Sequence, residues 1–241
     1  MDLQSRAPKY GIGRLYPEAA AGHGRLVSTS ADCGKRGHYR AGSGRDLAHL
    51  LKSGYEAYGV EPTDGLRAAA KVAHPELENR LASAALPELG MPFDGKFDGI
   101  LCSAVLMHVP DHQLFDAALA IRALLNPHGR LLLSLPLTRG DNLVEQRDTS
   151  GRLFQGYTAE EIQLLFERLG FQCIGRWDSD DALARAGTSW YTLLLELRTT
   201  GSMLERFSAT VPSPDASAKD PVEGAEKMTQ RNDKNPTVTG T

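Results

Sequence analysis

The sequence predicts a doubly wound α/β domain with a mostly parallel sheet, and three observations lead to this fold class. Helical and strand periodicities alternate along residues 41–198. Residues 97–105 and 130–135 form nearly continuous apolar runs, which are typical of strands covered by helices on both faces. Residues 41–46 contain two glycines at the start of a helix, where free N–H groups are available to a ligand.

Each element follows from its own pattern. The leucines of residues 47–51 share one helix face, and Gly54 follows as the stop. The same reasoning predicts further helices at 66–72 and 114–125, and strands at 55–60, 97–105, 130–135, 171–177 and 190–198. The turn residues Asn126-Pro127-His128-Gly129 end the 114–125 helix. The short link between the last two strands predicts an antiparallel edge, with a small helix at 182–186 as an open alternative.

A capping box predicts where the last long helix begins. Thr158 has the residue type of an N-cap, and Glu161 lies at the position that reaches back to it. The apolar residues that follow recur at helical spacing up to Gly170.

The chain divides into three predicted zones. Residues 1–40 form an irregular N-terminal segment in which Leu26-Val27 is the one strand-like pair. Residues 41–199 form the α/β domain. Residues 200–241 are rich in Pro, Ser, Asp and Lys and are predicted to be a disordered tail, because they bury too little apolar surface to offset the entropy of ordering.

Composition excludes several classes of function. The 241 residues carry a net charge of −3, with 24% charged and 41% hydrophobic residues, which does not favour binding to nucleic acid or an anionic membrane. The apolar runs are too short to span a bilayer, and the N-terminus does not resemble a signal peptide. The three cysteines are odd in number and widely spaced, so a cytoplasmic protein without a disulfide framework is expected. No metal site is expected at His108 and His112, since Pro110 breaks the helix between them.

The glycine loop and a later acid indicate the kind of ligand. Gly42-Ser43-Gly44 lacks the third small residue of a dinucleotide fingerprint, because that position is Leu47; an oxidoreductase is therefore the disfavoured alternative. No Gly-Lys-Ser/Thr follows, which excludes a P-loop. Glu61 comes seventeen residues after Gly44 at a strand end, where an acid can accept hydrogen bonds from both hydroxyls of a ribose. The pattern therefore favours a ligand that contains a nucleoside without phosphates.

These motifs, in their order and spacing, resemble the class I S-adenosylmethionine-dependent methyltransferases of the small bacterial type. The resemblance covers residues 41–198. It is carried by Ala41-Gly42-Ser43-Gly44-Arg45-Asp46, Gly59-Val60-Glu61-Pro62, the segments 97–108 and 125–133, and Tyr157-Thr158-Ala159-Glu160-Glu161. It implies a seven-stranded sheet whose last strand is antiparallel, and S-adenosyl-L-methionine as the cofactor.

The resemblance also implies a set of cofactor-binding residues. The methionine half of the cofactor would be bordered by Ala41, Gly42, Ser43 and Gly44. The ribose hydroxyls would be bound by Glu61, which is followed by Pro62. The adenine would lie beside Ala84, Ala85 and Leu86, and the sulfonium beside Ser103.

One segment departs from the family pattern. In the stretch aligned with the family's first strand, His38 stands in the place of an acid and Arg40 in the place of a glycine. Residues 35–40 are poor candidates for a buried strand. The strand is therefore displaced, or Leu26-Val27 takes its place, or the N-terminal zone is rearranged. A catalytically silent homologue that acts as a binding or scaffold protein is the corresponding alternative to a methyltransferase.

The acceptor is expected to be a small molecule or another acceptor that the sequence does not identify. Its pocket is predicted from residues that follow the fourth and fifth strands: Met107, His108, Arg139, and the 141–157 insertion with Arg147, Arg152 and Phe154. The insertion has the position of a lid. His108 is a weak candidate for the catalytic base. The sequence does not predict the oligomeric state.

Overall fold

The computed structural model describes residues 25–29, 44–139, 143–181 and 184–198, and side chains of the first range only as far as Val27. The predicted tail at 200–241 lies outside these ranges. The strands are β1 (Arg25–Thr29), β2 (Glu56–Val60), β3 (Leu81–Ala82), β4 (Phe97–Ser103), β5 (Leu125–Thr138), β6 (Phe171–Asp180) and β7 (Ser189–Leu197). The helices are α1 (Arg45–Lys52), α2 (Asp64–Ala73), α3 (Asp111–Ala123) and α4 (Ala159–Arg168), with 3-10 turns at Pro75–Leu77 and Leu106–His108.

The seven strands form one sheet in the order β3-β2-β1-β4-β5-β7-β6. The first five strands of this order are parallel, whereas β7 is antiparallel to both β5 and β6. The predicted doubly wound sheet with an antiparallel last strand is confirmed. Strand order reverses between β1 and β4, and open α/β sheets bind their ligands at the carboxyl ends of strands at such a switch point.

The central strand β1 corrects the predicted domain boundary. Arg25–Thr29 pairs in parallel with β2 on one side and β4 on the other, so the sheet extends into the 1–40 segment predicted to be irregular. Of the three alternatives for the first strand, the structure shows that Leu26-Val27 takes its place. Both side chains are almost fully buried, because each lies under helices of a different face. The polar segment 35–40 lies outside the described residues.

Alternating residues of the central strands face two separate cores. Leu26, Leu101, Leu132 and Leu194 pack with Leu47 and Leu50 of α1 and Ala70 of α2. Val27, Ile100, Leu131, Leu133 and Leu195 pack with Ile121 of α3 and Ile162 and Phe166 of α4. Because successive side chains point to opposite faces of a strand, this pattern places α1 and α2 on one face of the sheet and α3 and α4 on the other.

Two elements at the carboxyl half differ in their bounds from the prediction. Strand β5 begins at Leu125, so the predicted turn residues 126–129 lie within it. The pairing of β4 with β5 shifts between Phe97 and Gly99, which accommodates these residues as an irregularity rather than as a loop. The described part of the β6–β7 link contains no helix at 184–186.

The capping box is confirmed in both directions. The Thr158 side chain accepts a hydrogen bond from the Glu161 backbone N–H at 3.2 Å, and the Glu161 carboxylate accepts one from the Thr158 backbone N–H at 2.9 Å. This sets the first residue of α4, which packs Ala159, Ile162 and Phe166 into the core.

Candidate functional site at the carboxyl ends of the parallel strands

Two predicted site residues flank the end of the central strand. Thr29 of β1 pairs with Val60 of β2 and with Cys102 of β4. Glu61 and Ser103 are the next residues after these two partners. They therefore lie on either side of the β1 terminus, two strand spacings or about 10 Å apart. The register of the sheet brings them to the switch point, although they are 42 positions apart in the sequence.

The Glu61 side chain is buried at the tip of β2. It is 2% exposed, and its Oε1 accepts a hydrogen bond from the Thr63 backbone N–H at 2.9 Å. Its own backbone N–H donates to the Ala82 carbonyl of β3 at 3.1 Å. A buried carboxylate with two oxygens has the acceptor capacity to bind further donors besides Thr63. Pro62 is half-buried beside it.

The segment predicted to lie beside adenine follows β3 directly. Ala84, Ala85 and Leu86 are half-buried, and Ala84 and Leu86 pack against the core. Because β3 pairs with the end of β2, the segment begins next to Glu61. The structure thus brings a carboxylate and an apolar surface together at the edge where β2 and β3 end.

Gly44 begins α1 in a conformation that favours glycine. Its φ is +73°, and an added Cβ would collide with Leu77 Cδ1 and lie 3.2 Å from Ala70 Cβ. The helix therefore packs closely against α2 and the 3-10 turn at this glycine. The predicted neighbours Ala41, Gly42 and Ser43 lie outside the described residues.

A hydroxyl pair connects the end of β4 to an interior position of β5. Ser103 Oγ and Ser134 Oγ are 2.9 Å apart, and Ser134 is 3% exposed. Either atom can be the donor. Ser134 is not among the predicted site residues, although a serine that interrupts the apolar run of β5 indicates a polar contact in the sheet.

The 143–157 loop packs over the turn that follows β4. Its backbone pairs Val144 with Arg147 and Arg147 with Leu153. A buried ion pair closes it: Arg152 Nε donates to Asp148 Oδ2 at 2.7 Å. Burial alone would raise the pKa of Asp148, but hydrogen bonds from Arg152 and Ser150 lower it below its usual range.

Several of the predicted acceptor-site residues meet at this loop. The Gln155 backbone N–H donates to the Met107 carbonyl at 2.7 Å. The Phe154 and His108 rings are in edge-on contact, with their centres 4.6 Å apart. The Arg139 guanidinium carbon lies 3.5 Å from the centre of the Phe154 ring. Arg147 is exposed and does not join them; it donates to the Gly151 carbonyl at 2.8 Å.

The β6–β7 link contributes residues to this edge that are not among the predicted site residues. Ser189 pairs with Thr138, so the link lies beside the carboxyl end of β5. Asp181 is 4% exposed and accepts hydrogen bonds from Trp190 Nε1 at 2.9 Å and from Arg185 Nη2 at 2.6 Å. The i, i+4 spacing of Asp181 and Arg185 was the signal available in the sequence.

No group of three or more His, Cys, Asp and Glu side chains in the described ranges could hold a metal ion. Within the same residues, no helix combines the length and the apolar character needed to cross a membrane.

Comparisons with known proteins concern both the sequence and the fold. A family model described as a methyltransferase domain matches residues 40–175. A comparison with curated proteins finds no match. Among solved structures, Burkholderia thailandensis 1,6-didemethyltoxoflavin-N1-methyltransferase, with 1,6-didemethyltoxoflavin and S-adenosylhomocysteine bound, is similar with a TM-score of 0.58 at 19% identity. That match covers 78% of this chain and 76% of the other.

Two further solved structures share the fold. The N-methyltransferase NodS from Bradyrhizobium japonicum WM9, in complex with S-adenosyl-L-homocysteine, has a TM-score of 0.53 at 13% identity, over 77% of this chain and 84% of its own. Magnesium protoporphyrin IX methyltransferase (ChlM) from Synechocystis PCC 6803, with S-adenosylmethionine bound, has a TM-score of 0.51 at 18% identity. That match covers 75% of this chain and 72% of the other.

Proposed function

We propose, from the premise that the chain belongs to the family of methyltransferase domains, that it methylates a small-molecule acceptor. The family membership confirms the resemblance seen in the sequence and, with it, the prediction of a methyltransferase that uses S-adenosylmethionine. The acceptor and the roles of individual residues are the proposal.

The observation that carries the proposal is the buried Glu61 carboxylate at the switch point. A ribose offers two neighbouring hydroxyl donors, and a carboxylate can accept from both. The apolar surface of Ala84 and Leu86 begins beside it and suits an adenine ring. Ser103 lies across the end of β1. The chemistry of these residues therefore fits the ribose, the base and the reactive end of S-adenosylmethionine in that order.

The residues of this chain supply binding, alignment and exclusion of water. When bound, S-adenosylmethionine supplies a methyl group that its sulfonium has already activated. Glu61 and the 84–86 segment would hold the nucleoside part, and the 143–157 loop would cover the acceptor. Holding two reactants in line replaces a bimolecular encounter, and this alignment accounts for much of the rate in such reactions.

The acceptor side supports a small, partly aromatic or apolar molecule. Phe154 is packed between Arg139 and His108, and Trp190 lies on the strand next to β5. Flat side chains of this kind contact rings and apolar surfaces favourably. The toxoflavin and protoporphyrin methyltransferases that share this fold are themselves named for ring-containing molecules.

The cofactor site is tested by measuring the affinity of the Glu61→Gln variant for S-adenosylhomocysteine by titration calorimetry and comparing it with that of the parent protein. The substitution keeps one oxygen for the Thr63 N–H but removes the charge that strengthens the ribose hydrogen bonds. We expect an affinity loss of about 1–3 kcal/mol. The matched control is Glu56→Gln, an exposed glutamate at the start of the same strand, for which the affinity should not change.

Thermal unfolding of both variants shows whether they are folded. An unchanged affinity in a folded Glu61→Gln variant would mean that this carboxylate does not bind the ribose, and the proposed site would then be wrong.

A second candidate function is a catalytically silent homologue that serves as a binding protein. The observation that favours it is the separation of β1 from α1: fourteen residues lie between Thr29 and Gly44. In the pattern that the sequence resembles, the glycine motif follows the first strand directly. The same calorimetry separates the two candidates, because a silent homologue would give no heat with S-adenosylmethionine at high micromolar protein.

A further inference from the structure

The contacts of His108 with the 143–157 loop carry an inference about proton transfer. His108 Nδ1 lies 2.6 Å from the Leu153 carbonyl oxygen. The rings of Phe154 and His108 are in contact, and Gln155 is hydrogen-bonded to Met107. Three consecutive loop residues therefore hold the turn Leu106–His108 from one side.

The Leu153 contact determines which ring nitrogen of His108 carries the proton. A carbonyl oxygen can only accept a hydrogen bond, so Nδ1 must be the donor. In a neutral imidazole the other nitrogen, Nε2, then has the lone pair. Nε2 lies across the ring from Nδ1, and it therefore points away from Leu153.

The charged groups around His108 favour the neutral ring. The pKa of His108 lies below its usual value, chiefly because the ring is buried. The hydrogen bond to Leu153 and the charge of Asp148 raise the pKa, whereas the positive charges of Arg152 and Arg139 lower it further. Among the described residues, Arg152 and Asp148 act on His108 from the loop and Arg139 acts from the end of β5. At neutral pH the side chain is thus able to take up a proton.

We propose that the 143–157 loop makes His108 the proton acceptor of the methyl-transfer site by fixing its Nδ1–H tautomer. Leu153 is a positioning residue in this arrangement, acting through its carbonyl oxygen. The inference rests on the proposed function and deepens it, because a site with a proton acceptor suits an acceptor molecule whose N–H or O–H group loses its proton during methylation.

The proposed step balances in atoms and charge. As the lone pair of the acceptor's nitrogen or oxygen forms a bond to the methyl carbon, the electron pair of the carbon–sulfur bond stays with sulfur. His108 Nε2 takes the proton that the nucleophile loses. The products are the methylated acceptor, S-adenosylhomocysteine and an imidazolium, which returns its proton to water; the nearby Arg139 and Arg152 charges favour that return.

Long-range proton–nitrogen NMR of the full chain labelled with ¹⁵N-histidine tests the inference without any acceptor. The chain contains seven histidines, and a His108→Gln variant assigns the signal. At pH 7 we expect a protonated Nδ1 and an unprotonated Nε2 at His108. A protonated Nε2 or an imidazolium at this pH would overturn the proposal.

Loop variants show whether the loop is the cause. Phe154→Ala removes the ring contact and Asp148→Asn weakens the closing ion pair; both should convert His108 to a mixture of tautomers. Glu145→Gln is the matched control, since Glu145 is exposed on the same loop, and its spectrum should equal that of the parent protein. An unchanged tautomer in a folded Phe154→Ala or Asp148→Asn variant would mean that the loop does not fix it.

Addition of S-adenosylhomocysteine tests whether Nε2 faces the site. We expect a larger shift of the Nε2 resonance than of Nδ1. If calorimetry shows binding but neither nitrogen shifts, His108 is not part of the site and this inference fails while the proposed function stands. If there is no binding, the proposed function fails, and the tautomer spectrum still decides the effect of the loop.

Discussion

Gly44 links the start of α1 to the packing beneath it. A residue with a side chain would be strained at its φ of +73°, and the added Cβ would collide with Leu77 Cδ1. We expect Gly44→Ala to lower the free energy of unfolding by about 1–3 kcal/mol, measured by urea denaturation. Gly65, where an added Cβ meets nothing within 4 Å, is the matched control, and Gly65→Ala should not destabilise the protein. Equal effects at both positions would contradict this assignment.

At the level of single residues, the sequence predicted those whose position depends on local pattern. Glu61 follows a short strand directly, so its place at a sheet edge could be inferred from its neighbours. Ser134 could not be assigned in the same way, because its partner Ser103 lies 31 positions away and is set by the pairing of β4 with β5. For Asp181 the spacing to Arg185 was visible in the sequence, but the contact with Trp190 of β7, 9 positions away, was not. A buried polar residue is recognised only when the residue that satisfies it is known.

The helix α4 begins at a cap that both the sequence and the structure identify. Thr158→Ala removes the side-chain acceptor of the Glu161 N–H, and we expect a loss of about 1 kcal/mol in the free energy of unfolding. Thr158→Ser keeps the hydroxyl and should retain most of the stability. A Thr158→Ala variant as stable as the parent protein would show that solvent satisfies the end of α4 equally well.

Among the elements, helices were predicted more closely than strands. The helices have apolar faces that recur within ten or so residues, whereas strands are completed by neighbours distant in the chain. Leu26-Val27 offers two apolar residues, and it becomes the central strand because β2 and β4 pair with both of its edges. Likewise, residues 126–129 have the composition of a turn, but they are kept within β5 as an irregularity because Leu125 and Arg130 on either side of them pair with β4. Tertiary contacts override local preference at both places.

On the scale of the whole molecule, the proposed ligand-binding residues are distributed over one edge of the sheet. The parallel strands bring Glu61, Ser103 and Thr138 to that edge, and the antiparallel β7 brings the β6–β7 link there as well. The order of strands, rather than any one motif, therefore assembles the candidate site. Two buried carboxylates with lowered pKa values, Asp148 and Asp181, hold the 143–157 loop and the β6–β7 link, which border the proposed acceptor side.

These carboxylates give the stability of the molecule a dependence on pH. Hydrogen bonds and charge from Arg185 hold the pKa of Asp181 below its usual range, although burial opposes them. The ionised Asp181 carboxylate therefore makes its full contribution to the free energy of unfolding above about pH 4, which is the pKa of an aspartate in the unfolded chain. The contribution is lost as the pH falls further, toward the folded pKa. At pH 7 we expect Asp181→Asn to lower the free energy of unfolding by about 1–3 kcal/mol, and the difference from the parent protein should shrink between pH 4 and pH 2. Asp180→Asn, at an exposed neighbouring position, serves as the control. Urea denaturation across this pH range provides the measurement, and a difference that stays constant with pH would mean that the charge of Asp181 does not stabilise the fold.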